Sequence, residues 1–546
     1  MNFFCKLGAL RGLARMLFMH SKDPTRPARR RWLAVSGIAL LLALGSCGGQ
    51  SGPLAAFDRM NTQSLFREGY QQISHYYIEN TDAEHLALAG LAKLSTVDSS
   101  ISVQRQGNNI VLLQNGAVLD QYPAPAPTDN GGWGSLTASI LETARKASPK
   151  FARDKEDDVD KVVFDGAVGT LDRFSHYASP ESARELRAER SGFGGIGVTL
   201  DGSQEAEVRI LSVIPDSPAG RAGLKPDDVI LSVDGTAATT LSREQVVARL
   251  RGKPGTPVVL GIERKDTPEI TVSIARAHIV LPTVEMARDG KIVTLRISSF
   301  NEETGDRLRD AIVKARHEIG GAPTGIILDL RDNPGGLLDQ SVEVLDAFLD
   351  GGVATSTLGR LPESRKSYEV DPTHLTDGAA VVVLVNGGSA SASEIVASTL
   401  QDSGRAVVIG TSSYGKGTVQ TVLDLMNDGE LTVTWAKLIT PEGYVLHEHG
   451  VVPTVCTSGI PGDQASVQQA VAHGIVAGSG PAAGPRAALD EQSWKQLRDS
   501  CPAERVDRDA DVTIAKELLR DPGLYERALS ALPTLLAHST ASAAMR

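Results

Sequence analysis

The spacing of apolar residues changes several times along the chain, and each change marks a different kind of element. Across residues 54–95, Leu65, Phe66, Gly69, Tyr70, Ile73, Tyr76 and Tyr77 recur at threes and fours, which predicts helices. Residues 101–122 alternate instead and predict a hairpin around Asn115-Gly116, while 123–134, rich in Pro, Gly, Asp and Asn, reads as loop. A second helical pattern covers 136–171, with the charged run 153–160 as a solvated face. From Ser191 the pattern shortens to β-branched runs at Val208–Val213 and Val229–Val233, with turn signals at Pro215-Asp216-Ser217-Pro218 and Asp234-Gly235. A helix over 242–250, capped by Ser242, and a hairpin over 258–274 complete that unit.

From about Ile279 strands and helices alternate: 292–297, 304–318, 325–330, 337–349, 379–385, 391–401 and 406–409. The strands 325–330 and 380–385 are nearly all apolar, as strands covered on both faces are. Each runs into a polar, glycine-containing loop, Arg331-Asp332-Asn333-Pro334-Gly335-Gly336 and Asn386-Gly387-Gly388-Ser389, where such sheets place reactive groups. Further helices are predicted over 511–519 and 525–535. The expected fold is multidomain α+β: a mainly helical N-terminal cap (56–190), a β/α module (191–277), an α/β core with a mixed sheet (278–456) and a helical C-terminal extension (457–546).

Composition narrows the class. With 546 residues, 41% hydrophobic and 22% charged, the chain is a folded protein of several domains. Aromatics at 4% and a net charge of -11 argue against a partner bound by base stacking or phosphate contacts, so no nucleic acid is expected. The charge is uneven. Residues 1–46 hold eight Lys or Arg against one acid, Asp23, so the -11 combines a leader of +7 with a remainder of -18. Arg29, Arg30 and Arg31 precede an apolar run, 32–44, about two-thirds of the ~20 residues a membrane span needs, which reads as a secretion signal. The run ends in Leu44-Gly45-Ser46-Cys47, which resembles the bacterial lipobox; an ordinary signal peptide is the alternative. Met19 would open a more conventional leader. The resemblance implies an acylated Cys47 on a short tether (47–55). Gly48 in place of an acid leans towards the periplasmic face of the outer membrane of a Gram-negative bacterium. Of the 4 cysteines, Cys456 and Cys501 remain for the body, and in an oxidising compartment they are candidate disulfide partners.

The module at 191–277 resembles a PDZ domain. Phe193-Gly194-Gly195-Ile196-Gly197 leads into its first strand, and Ala222-Gly223-Leu224 precedes Asp227-Asp228-Val229-Ile230. The resemblance implies that an extended peptide adds to the sheet edge while amides of residues 193–197 capture its terminal carboxylate. Gly192, Gly194 and Gly197 also fit G-x-G-x-x-G, but a strand follows them where dinucleotide binding requires a helix.

Ser389, Ser391 and Ser393 alternate at a helix start, more hydroxyls than capping needs, although Ser391 and Glu394 have capping-box spacing. The run from Gly410 to Gln420 nearly spells a phosphate-binding loop, but Gly417 stands where a hydroxyl must meet magnesium. Ser391, the run Gly415-Lys416-Gly417-Thr418-Val419-Gln420, the loop beginning Asp329-Leu330-Arg331 and the PDZ-like module together resemble the carboxy-terminal processing peptidases, or tail-specific proteases. Over about 160–455 the resemblance implies a serine endopeptidase without metal or cofactor, with Ser391 as nucleophile, Lys416 as general base and Gln420 orienting the base. Its substrates are proteins with exposed apolar C-termini.

Those roles are chemically coherent. Lysine is a base only when neutral, so burial must lower its pKa of about 10.4, and no charged residue lies within four positions of Lys416. The Ala392 amide is one candidate oxyanion donor and, by resemblance, Gly335 or Gly336 the other. A histidine triad through His374, His447 or His449 is a rival with no assignable aspartate. Tyr414, where the family more often has Phe, and the stretch from Val445 to His449 depart from the family at the rim. A non-catalytic or latent membrane-anchored peptide-binding scaffold is the alternative function, and an adaptor or a second copy of the chain stays open as partner.

Overall fold

A computed structural model describes residues 59–201, 207–376, 378–460, 486–506 and 509–530. The leader, Cys47 and the tether lie outside the described residues, as do 531–535 of the last predicted helix. Among the described residues no helix is long and apolar enough to cross a membrane.

The N-terminal region follows its helical periodicity in Arg59–Tyr76, Ala83–Ala92, Asn130–Ala147 and Glu156–Val168. Three expectations there are corrected. The hairpin is a three-stranded meander, Ile101–Gln106, Asn109–Gln114 and Ala117–Pro123, because Gly107 supplies a second turn at φ +60°. The loop ends at Asp129, whose carboxylate caps the next helix by accepting from the Gly132 amide at 2.9 Å, so 130–134 are helical. The charged run is not wholly solvated either, since Asp160 is buried. Phe66, Tyr70, Trp133 and Phe164 pack with Leu425, Leu431 and Val433 from far along the chain, so the helices share their core with the peptidase region.

The module from 193 is a sheet in the order Ile270–Ala275, Pro257–Glu263, Val229–Val233, Val208–Val213, Val198–Leu200, with the last strand at an edge. Helix Arg243–Leu250 starts from the predicted Ser242 cap, completed by Gln245. Ala277–Ile279 pairs with Phe193–Gly195, so the chain leaves the module beside the point where it came in.

In the core, a mixed six-stranded sheet runs Val284–Asp289, Ile292–Ile297, Gly325–Asp329, Ala380–Val385, Ala406–Gly410, Val455–Cys456; the first pair is antiparallel and the rest parallel. Thr304–Ile319, Leu338–Leu345 and Ala392–Asp402 cover one face. Asp509–Arg520 and Pro522–Ser530, from the C-terminal extension, cover the other through Ile514, Leu518 and Tyr525. Coverage on both faces is why these strands carry no polar alternation. A second sheet, Lys366–Glu369, Val353–Gly359, Glu430–Ile439, Thr418–Asp424, has no counterpart in the sequence reading. Strand His176–Ala178 pairs with Glu430–Ile439 and ties the N-terminal region to it.

Candidate active site

The three alternating serines separate by their bonds. Ser389 Oγ donates to the Leu330 carbonyl at 2.7 Å and Ser393 Oγ to the Asn333 carbonyl at 3.0 Å, so both fasten the two strand-end loops together. Ser391 Oγ is not fastened to the neighbouring loops; it faces the Glu394 amide in a capping box, and the residue is half-buried at the start of helix Ala392–Asp402. Its backbone sits at φ +56°, ψ -115°, a conformation that costs a non-glycine residue about 1–3 kcal/mol and turns the side chain out of the helix start.

Glu394 is more than a cap. Fully buried, it accepts from the Ser391 amide at 2.8 Å and the Lys416 amide at 2.9 Å on Oε2, and from the Gly415 amide at 2.7 Å and Ser413 Oγ at 2.5 Å on Oε1. Burial pushes its pKa up, opposed by these four donors. One carboxylate thus fixes the loop of residues 413–416 against the start of the serine helix. Gly417 lets that loop pass beneath the next segment, because a Cβ there would overlap the backbone nitrogen of His447.

Lys416 is half-buried, and desolvation lowers its pKa, partly offset by the carboxylates of Glu394 and Asp172. The absence of nearby charge expected from sequence does not survive folding, since both acids arrive from elsewhere in the chain. Asp172 accepts from the Phe174 and Ser175 amides, a turn that sets the Phe174 ring 5.3 Å from Lys416 Nζ. Nζ and Ser391 Oγ are not hydrogen-bonded to each other in this structure. Gln420 lies on strand Thr418–Asp424, and its Nε2 donates to Thr418 Oγ1 at 2.9 Å and Thr434 Oγ1 at 3.1 Å rather than engaging Lys416.

Of the two candidate glycines, Gly335 donates its amide to Asn333 Oδ1 at 2.9 Å, and a Cβ on it would lie 2.7 Å from Ser391 Cβ. Gly336, at φ +149°, has its Cα against Phe300 and an amide without a partner among the described residues, as does Ala392. Beneath this loop Arg331 grips Asp329 through two bonds, at 2.9 and 2.7 Å, with both side chains buried. None of the three histidines is hydrogen-bonded to Ser391 among the described residues: His374 pairs with Asp350, His449 stacks on Trp494, and His447 meets the edge of Phe174, its pKa lowered by burial.

A cavity of about 280 Å³ lies between strand Val198–Leu200 and helix Arg243–Leu250. Phe193, Gly195, Ile196 and Gly197 line it, and the amides of Ile196 and Gly197 have no partner among the described residues; Gly194 instead packs on the Gly252 backbone. Leu281 also lines it, and its carbonyl accepts from Asn301 Nδ2 at 2.8 Å, next to Phe300, which pairs with Gly336. Cys456 and Cys501 form a disulfide, with Cα atoms 5.8 Å apart. Glu394, Asp172 and Phe174 were missed by the sequence reading; the signal for Glu394 was its capping-box spacing from Ser391, while the other two become visible only through pairing across the second sheet.

The sequence profile of peptidase family S41 matches residues 291–457, and that of the PDZ domain matches 185–263. A carboxy-terminal-processing protease of Bartonella bacilliformis is 39% identical over 300 residues, 54% of this chain and 68% of that protein. A probable CtpA-like serine protease of Staphylococcus aureus is 34% identical over 314 residues, 56% of this chain and 62% of that one. Among solved structures, the photosystem II D1 C-terminal processing protease aligns with 75% of this chain and 96% of its own, at 25% identity and a TM-score of 0.37.

Proposed function

The chain belongs to peptidase family S41, as a serine-type peptidase of the carboxy-terminal-processing kind with a PDZ domain, and on that premise we propose that Ser391 and Lys416 are its catalytic dyad. Neutral Lys416 takes the Ser391 Oγ proton as Oγ attacks the scissile carbonyl, and the Ala392 and Gly336 amides receive the oxyanion. The resulting ammonium protonates the leaving amine, and water then hydrolyses the acyl-enzyme. Gln420 orients Lys416 by a change of rotamer, since its amide is now held by threonines. The observation that carries the reading is the pair of amide bonds from Ser391 and Lys416 to Glu394 Oε2. Cleavage of a protein with an apolar, unstructured C-terminal tail tests it: loss of cleavage in both Ser391→Ala and Lys416→Ala is expected, and parental rates in either refute it.

The groove at 193–200 takes the substrate's C-terminus, with the free amides of Ile196 and Gly197 facing the carboxylate and Val247 and Leu250 the last side chain. The protein acts on envelope proteins from the periplasmic face of the outer membrane, anchored by an acylated Cys47. Metabolic labelling with a tagged fatty acid, present in the parent and absent in Cys47→Ala, checks the anchor.

The unmade Oγ to Nζ bond favours a second reading, an enzyme latent until a tail binds. A route exists from the groove through Leu281 and Asn301 to the loop of Gly336. Deleting residues 191–277 abolishes stimulation by a tethered tail on this reading; unchanged turnover contradicts it.

A further inference from the structure

The S41 profile stops at residue 457, yet residues 498–511 reach the serine loop, the segment leading into the lysine loop and Arg331. On helix Glu491–Asp499, Arg498 donates to the Ser413 carbonyl at 3.0 Å and to the His449 carbonyl. Ser413 is the residue whose hydroxyl binds Glu394. A Cβ on Gly450 would lie 2.6 Å from Arg498 Nη1, 2.8 Å from Ser413 Oγ and 3.1 Å from Glu394 Oε1, so the guanidinium and the carboxylate close on the same small space.

The segment then runs along the strand ends. The Cys501 carbonyl accepts from the Ser412 amide at 3.4 Å, and the Glu504 carbonyl accepts from the Gly387 amide at 2.8 Å. The Glu504 amide donates to Thr411 Oγ1 at 3.1 Å, and Arg505 Nε donates to the Gly387 carbonyl at 3.3 Å. Gly387 belongs to the serine loop; Thr411, Ser412 and Ser413 lead into the lysine loop. One residue set therefore holds both in register. Further on, Asp511 meets Arg331 under the Gly336 loop at 3.3 Å. The segment is closed covalently where it crosses the sheet, by the bond from Cys501 to Cys456, whose strand pairs with Gly410.

We propose that residues 486–506, clasped by the Cys456–Cys501 disulfide, are a strap that positions the serine and lysine loops, with Arg498 as its positioning residue, and that full turnover requires the oxidised form. The inference rests on the dyad reading of Ser391 and Lys416. A dithiol reductant supplies two electrons and two protons; the disulfide becomes two thiols and the reagent closes to its own cyclic disulfide. Cys456 is half-buried and Cys501 buried, so the reagent has to attack from the Cys456 side. The disulfide spans 45 residues of sequence, so breaking it removes the strap's covalent tie and leaves it held by the hydrogen bonds above, the Arg486–Asp402 ion pair and the packing of Trp494, with more freedom to open locally. The tail groove is built from other residues, so the effect falls on kcat rather than on KM.

The test compares kcat and KM of the full chain on a tailed protein substrate: oxidised parent, parent after dithiothreitol, Cys456→Ser/Cys501→Ser, Arg498→Ala and Arg498→Lys, with Ser391→Ala as reference. Reduction, followed by thiol titration, should lower kcat about tenfold with KM within about twofold, and reoxidation should restore it. The double cysteine variant should start low and ignore the reductant; where it fails to fold, the parent reduced after folding carries the test. Arg498→Ala should lose kcat similarly and Arg498→Lys recover part of it. Parental kcat in the reduced protein or in Arg498→Ala, or a change in KM alone, overturns the strap. Activity retained in Ser391→Ala would instead overturn the dyad, which keeps the two failures distinct.

Discussion

Ser391 and Lys416 donate their backbone amides to the same oxygen, Glu394 Oε2, at 2.8 and 2.9 Å. The spacing of the proposed nucleophile and base is thereby set by a third residue, which is fully buried and accepts from both. Glu394→Gln replaces one acceptor oxygen by a donor that must face an N–H or O–H group in a buried site, at a cost of about 1–3 kcal/mol for each group left unsatisfied. The expected outcome is a fall in kcat of about 100-fold with KM little changed, in steady-state kinetics on a tailed substrate.

As the proposed base, Lys416 must be neutral to act, so kcat/KM should rise with pH through its lowered pKa. The Asp172 carboxylate favours the ammonium and holds that pKa up against burial. Asp172→Asn keeps the Oδ1 acceptor of the Phe174 turn and removes the charge. The acid limb of the profile should therefore move to lower pH, and a shift to higher pH or none contradicts the assignment of Lys416 as base.

Gly417 is constrained by backbone rather than by a movable side chain. Since a Cβ would overlap the His447 nitrogen, Gly417→Ala has to displace either the lysine loop or the segment above it. Overpacking of this kind costs about 1–3 kcal/mol, and kcat should drop at least about tenfold because Lys416 immediately precedes Gly417. Thermal unfolding and kinetics on one preparation measure both effects.

Away from the site, Asp160 is buried and its pKa is raised to about 8, chiefly by desolvation, with Glu156 and Asp157 adding to it. The folded state therefore keeps a proton that an unfolded aspartate, at about 3.9, has released. Its contribution is fully present below pH 4 and is lost as pH rises towards 8, with a slope of up to about 1.4 kcal/mol per pH unit. Asp160→Asn removes that slope, so its stability relative to the parent should improve from pH 5 to pH 8. Denaturant titrations at the two pH values check this, and parallel behaviour would contradict it.

The parts of the fold that could be read from sequence are those whose burial is one-sided or complete. The helix-bearing stripe of Leu65, Phe66 and Tyr70 and the apolar strands Gly325–Asp329 and Ala380–Val385 fall where their patterns put them. The second sheet was not read even though Leu431-Thr432-Val433-Thr434-Trp435 alternates as a strand does; its partners Val353–Gly359 and Lys366–Glu369 hold few large apolar residues, so no pattern marks them. Ser391 and Lys416 could be proposed from the sequence because strand-end loops and short motifs are local. Their environment was not: Asp172 and Phe174 reach Lys416 through pairing of His176–Ala178 with Glu430–Ile439, and Arg498 reaches Ser413 from the far C-terminal region.

The most direct measurement of the central claim is kcat for Ser391→Ala, Lys416→Ala and the double variant on one tailed protein substrate, with folding verified for each. Residues that act as a unit are not additive, so each single variant should lose at least about 1,000-fold and the double variant no more than either. Parental kcat in either single variant, or losses that multiply in the double, would contradict a Ser391–Lys416 dyad.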